Sequence, residues 1–425
     1  MWTDARQATA WAFGWLLLVT AGFLLVRRPG AGQRAASGWL LILALAGLAR
    51  LLPALWLPVG AGYDIESYRL VTDALLNGRE VYTSALGRHP YLPFQMYIMG
   101  AMAWLSQATG LPYVVAIKLP AVVADVALTG VIYRIASGTR GRDWAAYLAL
   151  LYALNPVSLL VTAYHGQFEA VTLLLLVTAW WLGEQRRTRS SAAALGFAIL
   201  NKTWPVVFLP VIFIRLGNRR RIAYALLALA IPVVFATAYL IIFSADPMPM
   251  LRRALTHRGV AGYWGPGAIL NPAAAIWTPL QALVDALFAL RNWLLLAAVL
   301  AALWWTRRQP ALDAFLTLLL SMFVVTVGFG IQWLVWLVPF ASLAAEDRWL
   351  RAYSLAAAFM LAVHLYGLHM VPFLSEWLAA PAADWLIRLS ALPAWGIVVA
   401  WTIARLRTAR AARPEAVTLR EKPAN

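Results

Sequence analysis

The sequence predicts an all-α, polytopic transmembrane protein with about 11–13 helical spans. Three observations predict it. Of the 425 residues, 62% are hydrophobic and only 12% charged, where soluble domains run near a quarter charged. Apolar runs of about twenty residues recur while strand-like alternation is absent, so the spans are helices and not a barrel. The charge is lopsided, 35 Lys and Arg against 18 Asp and Glu for a net +17, and the basic residues sit in short loops between apolar runs. That is the positive-inside pattern, and membrane lipids rather than nucleic acid are the expected surroundings. Mean hydropathy of +0.71 excludes a soluble enzyme, and the absence of Cys excludes a disulfide scaffold.

The chain, 1–425, reads as a single integral-membrane domain. Its first apolar run, Ala8 to Val26, ends on Arg27-Arg28 and lacks a basic region before it, so it reads as a retained span and not a cleaved signal. Arg27, Arg28 and Arg34 place the first loop in the cytoplasm and the N-terminus outside. Gly38 to Leu57 crosses outward, and 58–90 is the first external loop. Tyr91 to Tyr133 holds two apolar runs but must cross an odd number of times, so one of them lies along the interface or re-enters. Arg134, Arg140 and Arg142 mark cytoplasm again. Asp143 to Gly183 is a two-span hairpin with Tyr164-His165-Gly166-Gln167 at its outer tip. Ser190 to Ile214 has cytoplasmic charge at both ends but only 25 residues. Two helices of that size reach ~18 Å each against a ~30 Å hydrocarbon core. The break at Asn201-Lys202-Thr203-Trp204-Pro205 therefore falls inside the membrane, beside a water-filled cavity; a single tilted, kinked span is the alternative. Ile222 to Phe243 crosses outward, 244–283 is a second external loop, and later spans run near 285–305, 311–330, 331–345, 350–372 and 385–405. Residues 406–425 form a basic cytoplasmic tail.

Several residues could carry chemistry. Asp64 and Glu66 stand where the outer surface begins, followed by Tyr68, Val71 and Leu75 on one face of an amphipathic surface helix that stops at Asn77-Gly78. Asp64 reads either as a general base or metal ligand above a cavity, or as a cap of that helix with Glu66 in its first turn. Only three Lys accompany 32 Arg, and Lys118 and Lys202 lie inside apolar stretches. An ionised side chain there costs ~2.5–3.5 kcal/mol on insertion scales. Each either holds an anion such as a phosphate or snorkels to an interface. Asp125, two turns after Lys118, reads as its partner or as a structural residue. His165, Gln167 and Glu169 read as a polar lining at the outer mouth or as a solvated turn. Arg252, Arg253, His257 and Arg258 form an external basic cluster, against the positive-inside grain, that suits an anionic ligand. His364 and His369 fall on different faces of a late span and read as core or interface residues. No metal-ligand spacing, nucleophile elbow or P-loop occurs in the sequence.

Taken in order, these pieces resemble the GT-C glycosyltransferases, polytopic enzymes that use polyprenyl- or dolichyl-phosphate sugars, and within them the lipid-linked mannosyltransferases. The matching text is Asp64-Ile65-Glu66-Ser67-Tyr68-Arg69, Asn77-Gly78-Arg79-Glu80-Val81-Tyr82, His89-Pro90-Tyr91-Leu92-Pro93, Leu154-Asn155-Pro156, His165-Gly166-Gln167-Phe168-Glu169, Lys202-Thr203-Trp204-Pro205 and Gln332-Trp333 before Trp336-Leu337-Val338-Pro339. The chain departs from the family in four ways. Its acidic pair follows the second span rather than the first, it is Asp-x-Glu where Asp-x-Asp is common, His89-Pro90-Tyr91 replaces the more usual Tyr-Pro-Pro, and Glu169 stands where Asp is frequent.

The resemblance implies an inverting transfer of a hexose, with mannose the expected sugar, from a polyprenyl-phosphate donor to an extracytoplasmic lipid or glycan acceptor. Asp64 is the implied base and Glu66 its helper. Lys202 and an Arg of 252–258 would face the leaving phosphate, and Lys118, His165, Gln167, Glu169, His257, Tyr68, Arg69 and Tyr91 complete the implied donor site. No cofactor or metal is expected. The implied location is a bacterial plasma (inner) membrane with the site facing outside. A transporter or flippase of a lipid-linked or anionic solute is the alternative, since it too would use intramembrane charge and a broken helix.

Overall fold

The computed structural model describes residues 5–30, 38–57, 59–256, 259–366 and 377–411. Long apolar segments satisfy their backbone groups internally, as a bilayer demands, and the described residues are almost wholly helical. Among the described residues, six helices are long and apolar enough to cross a membrane: Gln7–Leu25, Trp39–Trp56, Tyr113–Arg140, Arg220–Ile242, Pro279–Thr306 and Ala382–Thr408. The pair Arg142–Ala153 and Pro156–His165, bent by 43°, makes a seventh if taken as one span. The about 11–13 spans of the sequence reading therefore include shorter apolar helices, among them Ala311–Val325 and Ile331–Ala344. At ~1.5 Å per residue these do not reach across a ~30 Å core alone. Of the two apolar runs in 91–133, the second belongs to the span-length helix and the first is the 15-residue helix Gln95–Thr109.

The basic turns gather at one end of the bundle. Arg28 pairs with Asp347, and Arg351 donates to the Phe23 carbonyl at 2.7 Å. Arg215 donates to the Gln309 carbonyl at 2.7 Å. Arg405 reaches Asp313 at 2.8 Å and also contacts Glu346. A cleft between Arg140, Glu184 and Asp313 joins two further turns to these.

At the other end, the Gly62–Leu76 helix buries Ile65, Tyr68, Val71 and Ala74 and exposes Glu66, Arg69 and Asp73. This is the amphipathic helix that the spacing predicts, and it closes at Asn77 with Gly78 at φ +66°. Its N-cap is Ala61, with no side-chain capping bond, so Asp64 does not cap it. The stretch 244–283 is more ordered than a bare loop. It holds helices Pro247–Thr256 and Gly267–Ile276 and a two-residue strand, Val260–Ala261, paired antiparallel to Gly328–Phe329.

Below the surface helix, His89 is buried between Tyr82 and Tyr91, with ring centroids 5.6 and 5.7 Å away. Burial pushes its imidazole down to about 4 from 6.5, against the raising effect of a hydrogen bond to the Leu92 backbone. A depressed folded value favours the neutral ring, so this stabilisation is whole above pH 6.5 and is lost as pH falls toward 4. The loss amounts to about 3 kcal/mol. The thermal midpoint of the detergent-solubilised protein is expected to fall across that window, and to fall less in His89→Gln.

Candidate active site

The site is built where two chain reversals meet. The broken span ends in a π-helical turn, Leu160–His165, and Gly166 reverses the chain at φ +86°. The His165 carbonyl accepts from the Ala61 N–H at 3.0 Å, which docks this tip onto the start of the surface helix. A Cβ on Gly60 would stand 3.0 Å from that carbonyl, so a side chain there would crowd the approach.

Docking brings Asp64 to the tip. Gln167 Nε2 donates to Asp64 Oδ2 at 2.7 Å, and His165 Nε2 lies 3.4 Å from the same oxygen. Both tip side chains are buried, whereas the Asp64 side chain keeps 27% of its exposure. A carboxylate fixed on one side and open on the other suits proton abstraction.

A second cluster lies next to it. Lys202, at the break after helix Thr188–Asn201, pairs with Glu169 Oε1. Glu169 Oε2 accepts from Trp336 Nε1 at 2.8 Å. The Lys202 ammonium also lies 4.5 Å from the Phe168 ring centre and 4.9 Å from that of Tyr91, a cation–π arrangement inside the protein. Tyr68 packs its ring 5.7 Å from Phe168. Asp64 and Lys202 act on each other electrostatically, and Tyr91 feels both.

Tyr91 and Lys202 also line a cavity of about 210 Å³. One wall is aromatic: Trp204 stacks on Trp336 at 3.9 Å, and Trp333 on Trp336 at 5.2 Å. The opposite side carries Arg291 and Asn292 from the Pro279–Thr306 helix. The rim includes Thr326, Val327 and Gly328, so both irregular stretches of backbone, 202–203 and 326–330, open onto this space, as irregular backbone at membrane depth must. Among the described residues the lining carries two cations and no carboxylate.

Asp64, His165, Gln167, Glu169, Lys202, Tyr68 and Tyr91 thus come together as one assembly. Other expected site residues do not join it. Glu66 is exposed on another face, because residues i and i+2 of a helix are about 200° apart. Arg69 is exposed and lies 5.6 Å over Tyr113. Lys118 is fully buried and donates to the Val59 carbonyl at 2.8 Å and that of Leu57 at 3.4 Å. It supports the 57–59 turn and is absent from the cavity lining. Asp125 pairs with Arg50 at 2.6 Å and not with Lys118. Arg252 and Arg253 are exposed, and Arg253 lies against Gly87; neither lines the cavity, although the next residue, Ala254, does. His257, Arg258 and His369 fall outside the described residues, and His364 is a buried packing residue 5.4 Å from Tyr263. Arg291 was not singled out by the sequence reading, although a cation inside an apolar run is the same signal that marked Lys202. Among the described residues, no three His, Cys, Asp or Glu side chains form a metal-binding group.

The family model of glycosyltransferase family 87 matches residues 90–329, more than half of the chain. The chain belongs to that family. This membrane glycosyltransferase carries Lys202, Glu169 and Arg291 inside the matched segment, while Asp64 precedes it. Among solved structures, ArnT from Cupriavidus metallidurans bound to undecaprenyl phosphate aligns with a TM-score of 0.46 and 15% identity, over 89% of this chain and 79% of that one.

Proposed function

We propose that the transferase moves a hexose, mannose in the first instance, from a polyprenyl-phosphate donor to an extracytoplasmic lipid or glycan acceptor with inversion at the anomeric carbon. One observation carries the reading: Asp64, gripped by Gln167 and near His165, shares its helix with Tyr68, whose ring packs on Phe168 and through it on Tyr91, and Tyr91 and Lys202 line a cavity that carries two cations and no carboxylate among the described residues. The cations suit a phosphate leaving group, and the stacked Trp wall suits a sugar or isoprenoid face. Asp64 takes the acceptor hydroxyl proton as the acceptor oxygen bonds to the anomeric carbon. The bond from that carbon to the phosphate oxygen breaks, and its electron pair leaves with the phosphate, opposite Lys202 and Arg291. Glu169 is committed to Lys202 and Trp336, so a single base with direct displacement fits better than a covalent relay. The reading requires no cofactor. The position of the basic turns at the far end of the bundle supports a site facing outside a bacterial plasma membrane.

The test offers purified protein radiolabelled polyprenyl-phosphate mannose, glucose and arabinose in turn, with a membrane-lipid extract as acceptor. Transfer from one of them, with inverted configuration by NMR, is expected. Consumption of a nucleotide sugar, with none of the lipid-phosphate donors used, would overturn the reading. Arg291→Met is expected to raise the donor KM about tenfold, the effect of losing one charge-assisted contact of ~1.5 kcal/mol. An unchanged KM would remove Arg291 from the phosphate site.

A further inference from the structure

The Arg50–Asp125 pair lies in the bundle interior, away from the cavity, with both side chains fully buried. Ionised groups at that depth are rare and call for a reason. Their partners supply one. The span 142–165 breaks at Leu154-Asn155-Pro156. Pro156 has no N–H to give the Tyr152 carbonyl, and the Val157 N–H goes to Asn155 Oδ1 at 3.0 Å instead of to Ala153. Arg50 replaces the second of these bonds, its Nη1 donating to the Ala153 carbonyl at 2.6 Å, while the Tyr152 carbonyl accepts from the Asn155 N–H at 3.1 Å and from Arg50 Nη2 at 3.4 Å. Arg50 Nη2 also donates to Ser158 Oγ at 3.0 Å, beyond the break. Asp125 accepts from Tyr152 Oη before the break, and from Ser158 Oγ and Thr162 Oγ1 after it, the last at 3.0 Å. The pair therefore clamps both halves of the broken span at one angle. The second half runs straight into the π-turn that ends at His165, with Gln167 just past Gly166.

We infer that Arg50 and Asp125 are positioning residues for the transfer reaction: they fix the direction of the half-span 156–165 so that His165 and Gln167 hold the Asp64 carboxylate toward the acceptor. This inference rests on Asp64 being the base. The pair touches no substrate and acts only through the tip. An error of about 1 Å at the reacting group costs ~10²-fold in rate. Asp125→Asn keeps the shape, loses the charge, and is expected to lower kcat by about that factor, with the donor KM unchanged because the Lys202–Arg291 cavity is untouched.

The deciding experiment is a double-mutant cycle with Gln167→Leu, measured on protein that elutes as one folded species. If Asp125 acts through the tip, Asp125→Asn costs far less in the Gln167→Leu background than in the parent. Arg50→Met/Asp125→Leu, which removes both charges together, covers the case in which the single variant does not fold, and the same non-additivity is expected of it. Equal losses in both backgrounds, or a loss confined to donor KM, would overturn the inference. Asp64→Asn is assayed alongside. If it retains parental kcat, the base reading fails and this inference with it. If Asp64→Asn is inactive but the cycle is additive, only the positioning role fails.

Discussion

Asp64→Asn is expected to lower kcat by ~10²–10⁴, the usual share of a general base, while leaving donor affinity unchanged. The amide has the same shape as the carboxylate and can keep a hydrogen bond to Gln167, whose Nε2 lies 2.7 Å from Asp64 Oδ2. What it cannot do is take a proton from the acceptor hydroxyl. Lys202 and Arg291 line the cavity and Asp64 does not, so they should bind the donor as before. Glu66→Gln is the matched control: that side chain is exposed on a different face of the same helix, so its transfer rate should stay near the parent value. Stopped-time assays with labelled donor, together with equilibrium binding of that donor, check both. A parental rate in Asp64→Asn would remove the residue from the chemistry.

Lys202→Met is expected to cost more in stability than any surface change. It leaves the fully buried Glu169 carboxylate with Trp336 as its hydrogen-bond donor, and breaking a buried pair from one side typically costs ~3–5 kcal/mol. Replacing both partners, Lys202→Met with Glu169→Leu, removes the stranded charge and should recover most of the thermal midpoint. It should not recover transfer, because the cavity has lost one of its two cations. This separates the two roles open to Lys202. A double variant that is stable and fully active would make the lysine a packing element only.

The fold was legible because bilayer physics writes itself into composition. Apolar runs, basic turns and the break at Lys202 are all properties of neighbouring residues, and the basic turns do meet at one end. The count of crossings was less legible, since charge markers do not tell a full span from two short helices meeting at a cavity, as at 311–325 and 331–344. Within the site, the motif order pointed to Asp64, His165, Gln167, Glu169 and Lys202, and the structure brings them together. It did not reveal their pairing. Glu169 was read as mouth lining, yet it is the buried counter-ion of Lys202. Lys118 gave the same signal as Lys202, a cation in an apolar run, and is satisfied by backbone carbonyls instead. That signal says that compensation exists and not what supplies it. Arg50 and Arg291 carry it too, but among so many loop arginines they do not stand out as the rare lysines do; the sequence pairs Lys202 with an Arg of 252–258 for the phosphate, and Arg258 lies outside the described residues.

The most direct measurement places purified protein in proteoliposomes with polyprenyl-phosphate mannose labelled in the sugar, plus acceptor lipids, and follows where the label goes. The expected result is a covalent product in the lipid extract together with free polyprenyl phosphate in equal amount, both absent with Asp64→Asn. Label that crosses the bilayer while still joined to its carrier, with no new product, would contradict a transferase acting on this donor and establish a flippase instead.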